Sequence, residues 1–310
     1  VSSRTIDGGH TAHDPRRRRC SIERGLLACC LTLAMPVLAV AGEAAAKAAA
    51  ALGPPEDLAF KAEFDGSTQH YVRMEPKGAT NPTHDVLICL HGHGADRWQY
   101  VKDRRDECRA PREFAAAHGM TYISPDYRAS TSWMGPAAEA DMVQLIGILR
   151  KEHEGRRIFL NGGSMGGTSV LIFAALHPEL IAGVASLNGT ANMVEYNNFQ
   201  VEIWASYGGN KVQKADEFKK RSPELTPEKF TMPVAFTVGG KDRAVPPDSV
   251  RRLAAALERI NKENVLIIDR EDVGHSTNHA DTMAALEFML KAADTQAEKA
   301  KSEAPGGKKK

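Results

Sequence analysis

The sequence predicts an α/β fold: a mostly parallel, twisted sheet with helices on both faces and an antiparallel hairpin at its N-terminal edge. Three observations lead there. From residue 85 to residue 292, short apolar runs of strand length alternate with stretches of helical apolar spacing, the rhythm of successive βα units. Residues 60–64 and 69–74 flank Asp65-Gly66-Ser67-Thr68, the composition of a hairpin and its turn. The 310 residues also suffice for one such domain of about 240 residues with a large core.

The elements follow in order. Residues 43–52 (EAAAKAAAAL) are alanine-rich and are stopped by Gly53-Pro54-Pro55, so 42–55 reads as a linker into a domain spanning 56–295. After the hairpin, residues 85–90 (DVLICL) have the continuous apolarity of a strand buried on both faces. A helix over 108–118, a strand over 120–124 and an amphipathic crossover helix over 137–153 come next. Residues 157–160 (RIFL) form a further strand, and 168–177 (TSVLIFAALH) a helix that Pro178 stops. The strand at 181–187 is followed by a segment, 188–230, that breaks the βα rhythm and is long enough for a cap or pocket wall. Strands at 233–238 and 264–269 enclose a helix at 247–260, and a helix at 280–292 closes the domain. Residues 296–310, ending in Gly-Gly-Lys-Lys-Lys, read as a disordered basic tail.

Residues 1–41 read as an export signal. Arg16 to Arg19 and Arg24 make a basic region, residues 26–40 are apolar, and Ala39-Val40-Ala41 precedes Gly42 as a small-x-small cleavage site. The apolar stretch is short for a membrane span, so a periplasmic or secreted protein without stable membrane insertion is expected. This segment holds six basic and three acidic residues, and its removal turns the formal charge of +1 into −2. A mildly acidic chain has no electrostatic footprint for nucleic acid. The mature chain keeps Cys89 and Cys108. Cys89, in a central-strand run, reads as a small buried hydrophobe, although an exported protein can oxidise such a pair.

The chemistry concentrates in four loops that follow strands. Gly162-Gly163-Ser164-Met165-Gly166-Gly167 sits between a strand and a helix, where a sharp turn lifts a serine hydroxyl clear of the sheet and tolerates no bulky neighbour. The run 85–90 ends in His91-Gly92-His93-Gly94, the run 233–238 in Gly239-Gly240-Lys241-Asp242, and the run 264–269 is followed by Val273-Gly274-His275. A serine hydroxyl becomes nucleophilic when an imidazole takes its proton and a carboxylate orients that imidazole. Ser164, Asp242 and His275 supply these groups, while the backbone N–H groups of His93 and Met165 face an oxyanion. Asp248, Asp269, Glu271 and Asp272 compete for the acid, but only Asp242 follows a strand through a Gly-Gly-Lys turn. His279 competes with His275, but it falls where the last helix opens; His91 reads as a structural residue bonded to loop backbone. No metal or cofactor is called for.

These motifs, in this order, resemble the α/β-hydrolase superfamily in its esterase and prolyl-oligopeptidase-like branch, and are similar to secreted feruloyl, acetylxylan and polyester-depolymerase-type esterases. The resemblance covers roughly residues 60–291 and implies a serine hydrolase with Ser164 as nucleophile, His275 as acid and base, Asp242 as its orienting carboxylate, and His93 with Met165 as oxyanion donors. Trp98, and above all Trp133, follow strand ends where an aromatic can stack on a sugar or phenolic group; both are expected to touch substrate. The expected activity is hydrolysis of aryl or acetyl esters of plant polysaccharide. A peptidase of the prolyl-oligopeptidase kind is the main alternative, although about 50 residues precede the hydrolase region, too few for the propeller of that family. A non-catalytic binding module is the third, and its usual sign, a lost triad residue, is lacking. The oligomeric state is left open.

Overall fold

A computed structural model describes residues 51–77, 85–152 and 155–303. The expected export segment and residues 304–310 lie outside the described residues. Eight strands form one sheet: β2 (Glu56–Lys61), β3 (Thr68–Met74), β5 (Val86–Leu90), β6 (Thr121–Pro125), β7 (Ile158–Gly163), β8 (Gly183–Leu187), β9 (Val234–Gly239) and β10 (Val265–Arg270), in spatial order β10-β9-β8-β7-β5-β6-β3-β2. β2 and β3 are antiparallel, β3 is antiparallel to β6, and the pairs from β6 through β5, β7, β8 and β9 to β10 are parallel. The two short strands β1 (Ala51–Leu52) and β4 (Pro76–Lys77) pair separately.

The middle strands are buried, except for Gly163 at the cleft end of β7, because helices cover both faces. Along β5, Val86, Ile88 and Leu90 join one hydrophobic layer, and Leu87 and Cys89 the other, as the two-residue period of a strand requires. The first layer is closed by α3 (Pro136–Glu152), α4 (Met165–Leu176) and α7 (Asp248–Asn261). The second is closed by α2 (Asp106–Ala117) and α8 (His279–Glu303), through Phe114, Leu286 and Met289. A one-turn helix, α1 (Gln99–Lys102), precedes α2; α5 (Gln200–Tyr207) and α6 (Ala215–Lys220) lie within the 188–230 segment. Among the described residues no helix is long and apolar enough to cross a membrane.

Three boundaries differ from the sequence expectation. The domain begins before residue 56, since Ala51 and Leu52 pair with Lys77 and Pro76 and Gly53 N–H donates to the Glu75 carbonyl at 2.7 Å; local alanine content cannot reveal a partner 24 residues away. The hairpin strand runs over 56–61 rather than 60–64, with Lys61 opposite Thr68, and leaves Phe64 in the turn, 55 % exposed. Its alternation starts at Leu58 and Phe60, the two inward residues of an edge strand. Finally, α8 continues through residue 303, so 296–303 is helix rather than disordered tail; this Ala-, Lys- and Glu-rich stretch has high helix propensity and extends a helix already nucleated on the core. Cys89 and Cys108 are both buried and free.

Candidate active site

Ser164 sits between β7 and α4 with φ 59° and ψ −119°, a conformation that costs a non-glycine residue energy. Two contacts hold it there: Ser164 N–H donates to the Leu187 carbonyl at 2.8 Å, and its carbonyl accepts Thr168 N–H at 2.9 Å. The glycines are required by close approach. A Cβ on Gly166 would collide with the Leu90 carbonyl oxygen, and one on Gly162 would lie 2.5 Å from the Gly166 carbonyl oxygen. Strand β7 can therefore turn into α4 only with glycine at both positions.

The loops after β5, β9 and β10 converge on this serine at the carboxyl end of the sheet. His275 Nε2 lies 2.8 Å from Ser164 Oγ, and His275 Nδ1 lies 2.6 Å from Asp242 Oδ2. The other carboxylate oxygen of Asp242 accepts the N–H groups of Ala244 and Val245, both at 2.9 Å. With 5 % of its surface exposed, Asp242 is held in one orientation. The acid and histidine loops also grip each other, because Lys241 N–H donates to the Val273 carbonyl at 2.9 Å and a Cβ on Gly239 would strike the Gly274 backbone. Ser164, His275 and Asp242 thus form one hydrogen-bonded chain.

His279 lies elsewhere. Its Nε2 is 2.7 Å from Glu113 and its N–H donates to Asp106 at 3.1 Å, which ties the start of α8 to α2. Asp269 pairs with Arg251 and Asp272 with Lys241, so neither competitor carboxylate faces His275.

The loop after β5 is fastened at every residue of the His-Gly-His-Gly run. The buried His91 ring contacts the carbonyls of Gly92 (2.9 Å) and Asp126 (3.2 Å), and burial pulls its pKa down. Tyr127 Oη donates to the His91 carbonyl at 2.6 Å, Gly92 N–H to Gln99 Oε1 at 2.7 Å, and Gly94 N–H to the Ser130 carbonyl at 2.7 Å. Met165 opens α4, so its N–H is one of those a helix leaves without an internal acceptor. Its side chain is fully buried.

A cleft of about 300 Å³ opens at Ser164, lined among others by Gly92, His93, Tyr100, Asn188, Phe199 and His275. The two tryptophans expected to touch substrate do not line it. Trp133 is fully buried, its indole N–H donating to His93 Nδ1 at 3.1 Å and its ring packed against Phe199 and Tyr196. The loop at 133–134 turns inward because both Trp133 and Met134 adopt positive φ. Trp98 stacks instead under the Lys102 ammonium, 3.8 Å from the ring centroid. Sequence reading missed Phe199, Asn188, Gln99 and Glu107 as lining residues. Asn188 carried a usable signal, since it directly follows β8 at the end of the sheet where sites form; Phe199 arrives through the irregular 188–230 segment and carried none. A larger groove of about 620 Å³ runs beside the C-terminal half of α8, lined by residues such as Asn264, Phe288 and Gln296, and holds no nucleophile with a base. Among the described residues no cluster of metal-ligating side chains occurs.

No curated protein matches this chain significantly. Among solved structures, the esterase Pf2001 of Pyrococcus furiosus superposes with a TM-score of 0.54 at 15 % identity, covering 79 % of this chain and 93 % of that one. The fluorophosphonate-binding serine hydrolase FphF of Staphylococcus aureus gives 0.57 at 16 %, covering 78 % and 98 %. A puromycin-hydrolyzing peptidase of Mycobacterium tuberculosis gives 0.60 at 19 %, covering 78 % of this chain but 39 % of its own length. At such identities these neighbours show the α/β-hydrolase fold alone. The chain spans nearly the full length of the first two and about two fifths of the peptidase. The model of the Prolyl oligopeptidase family matches residues 110–296, more than half of the chain and the region that carries Ser164, Asp242 and His275, so the protein belongs to that family of serine hydrolases.

Proposed function

We propose that the protein is a carboxylic ester hydrolase in which Ser164 is the nucleophile, His275 the general base and acid, and Asp242 the carboxylate that orients it. The observation that carries this reading is the continuous chain from Ser164 Oγ through both ring nitrogens of His275 to Asp242. Ser164 Oγ attacks the ester carbonyl carbon and its proton passes to His275 Nε2. The carbonyl oxygen becomes an oxyanion facing the N–H groups of His93 and Met165, each such donor being worth roughly 3 kcal/mol of barrier. When the tetrahedral adduct collapses, the C–O bond to the alcohol breaks and His275 returns the proton to that oxygen. Water, deprotonated by the same imidazole, then releases the acid and restores Ser164.

We further propose an exported enzyme acting on acetyl or aryl esters attached to polysaccharide. Gln99, Arg105, Glu107 and Asn188, set in a wall that also carries apolar Leu187, Phe199 and Ala244, support a substrate with both hydroxyl groups and carbon surface. Peptidase action is the second reading, favoured by the family match and by peptidases among the structural neighbours. The test has two arms. A fluorophosphonate is expected to label Ser164, with the adduct mapped by peptide mass spectrometry; labelling of another serine would overturn the assignment. Acetyl-sugar and aryl esters are expected to exceed prolyl and aminoacyl amides at least a hundredfold in kcat/KM, and the opposite order would make the protein a peptidase.

A further inference from the structure

Beneath the wall of the cleft at Ser164 lie polar atoms that no group among the described residues satisfies. Tyr100 is 1 % exposed and Asn188 6 % exposed, and both line the cleft. The Tyr100 hydroxyl and the Asn188 side-chain carbonyl oxygen are buried without a hydrogen-bonding partner among the described residues, as is the hydroxyl of Thr277, a third lining residue. A buried polar atom left unpaired costs free energy comparable to a lost hydrogen bond, so such atoms gathered around a nucleophile mark where a ligand bonds. Burial also raises the Tyr100 pKa well above its ordinary value, which keeps the phenol a neutral donor.

Their positions bracket the serine. Tyr100 lies in α1, on the connection that leaves β5, and its hydroxyl is the group a Cβ on Gly163 would meet at 3.1 Å. Asn188 follows β8, whose Leu187 carbonyl holds Ser164 N–H, and is itself fixed at φ 49° with its N–H on the Thr237 carbonyl at 2.8 Å. As β5 and β8 are the two neighbours of β7, the two unpaired groups come from the connections that flank the elbow strand, and both residues line the cleft at Ser164. The phenol can donate or accept and the amide oxygen accepts, a combination that a hydroxyl satisfies at either end. The rim beside Tyr100 does not favour an anion. Arg105, the cation there, is already held by Asp103 and Glu107, each at 2.8 Å. An apolar ring such as proline would leave the Tyr100 and Asn188 groups buried and unpaired.

We propose that Tyr100 and Asn188 are the specificity-determining residues of this site and that they select esters whose scissile bond is flanked by neutral hydroxyl groups, the chemistry of an acylated sugar or other polyol. This rests on Ser164 being the nucleophile of an ester hydrolase. A site built to hydrogen-bond a substrate hydroxyl rejects the analogue lacking it far more strongly than an apolar pocket rejects a missing methylene.

The experiment compares two acetyl esters of equal ring size, a monoacetylated methyl hexopyranoside and cyclohexyl acetate, with the full-length protein. The unsubstituted enzyme is expected to favour the sugar ester at least a hundredfold in kcat/KM. Tyr100→Phe and Asn188→Leu are each expected to cut that ratio at least tenfold, chiefly by raising KM for the sugar ester. A ratio near one in the unsubstituted enzyme, or a ratio unchanged in both variants, overturns the proposal, and the first of these readouts needs no variant to fold. Fluorophosphonate labelling in the same preparation separates the two claims. Labelled Ser164 with a ratio near one sinks only the selectivity, whereas unlabelled Ser164 sinks the esterase reading beneath it.

Discussion

The indole N–H of Trp133 donates to Nδ1 of His93 at 3.1 Å, so a residue with no exposed surface sets the ring of one that lines the cleft. Because Nδ1 accepts, a neutral His93 carries its proton on Nε2. The His93 ring is also packed on Phe199, with centroids 4.5 Å apart. Trp133 therefore backs the cleft wall rather than forming it. Truncation should act first on stability: Trp133→Ala is expected to cost about 3–5 kcal/mol, as for other buried aromatics, read by urea unfolding. A variant of undiminished stability whose only change is a raised KM would return Trp133 to the substrate.

His275 in the last loop and His279 at the start of α8 give a second prediction. His275→Ala removes the group that links Ser164 to Asp242 and is expected to lower kcat by several orders of magnitude. His279→Ala removes only a contact between its half-buried ring and the exposed Glu113, away from Ser164, so kcat should stay within about tenfold. Steady-state kinetics on one aryl ester rank the two, and the reverse order would move the base to His279.

Gly166 tests how tightly the elbow is built. A Cβ there meets the Leu90 and His91 carbonyls, backbone atoms of the strand end that carries the His-Gly-His-Gly loop. Neither side can yield without moving β5 or α4. Gly166→Ala is expected to destabilise by about 3 kcal/mol or more, whereas Gly147→Ala, where nothing lies within 4 Å of the added Cβ, should leave stability unchanged or raise it slightly. Thermal unfolding of the two variants makes the comparison, and equal midpoints would show that the elbow has room.

What was legible in the sequence divides along the same physical line. The central strands and the order of Ser164, Asp242 and His275 could be read because each loop follows an apolar run; burial on both faces writes that pattern into β5, β7 and β9, while the edge strand β10, only partly buried, keeps it over its first four residues. Asp242 stood out from Asp269 and Asp272 through its Gly-Gly-Lys turn, and the packing of Gly239 and Gly240 against the 271–274 backbone explains why glycine is needed there. The part of the wall that Phe199 supplies and the inward turn of Trp133 were not legible. Whether Trp133 faces solvent or core depends on positive φ at residues 133 and 134, on the Tyr207 hydroxyl bonded to the Trp133 carbonyl at 3.0 Å and on Arg221 bonded to that of Met134 at 2.6 Å. Those partners come from the 188–230 segment, where no periodicity announces them.

That same support gives a prediction about pH. Glu139, on α3, accepts from the buried Arg221 at 2.6 Å and faces His177 at 3.1 Å and Lys220 at 3.3 Å. Burial alone would raise its pKa; the His177 hydrogen bond and the charges of Arg221 and Lys220 outweigh burial and hold it down to about 2, against an ordinary 4.5. A carboxylate whose pKa is lower in the folded than in the unfolded chain stabilises fully above the unfolded value, and that contribution fades as pH falls from 4.5 towards 2. Glu139→Gln is therefore expected to cost roughly 2 kcal/mol at pH 7, a figure discounted for partial solvent screening. The gap between variant and parent should narrow steadily below pH 4.5. Because Arg221 also holds the Met134 carbonyl, the variant should loosen the 133–134 loop and with it His93, so kcat at pH 7 should fall as well. Denaturant unfolding of both proteins at pH 7, 4.5 and 3 measures the gap, and a gap that stayed constant across that range would mean that Glu139 supports the loop through shape rather than charge.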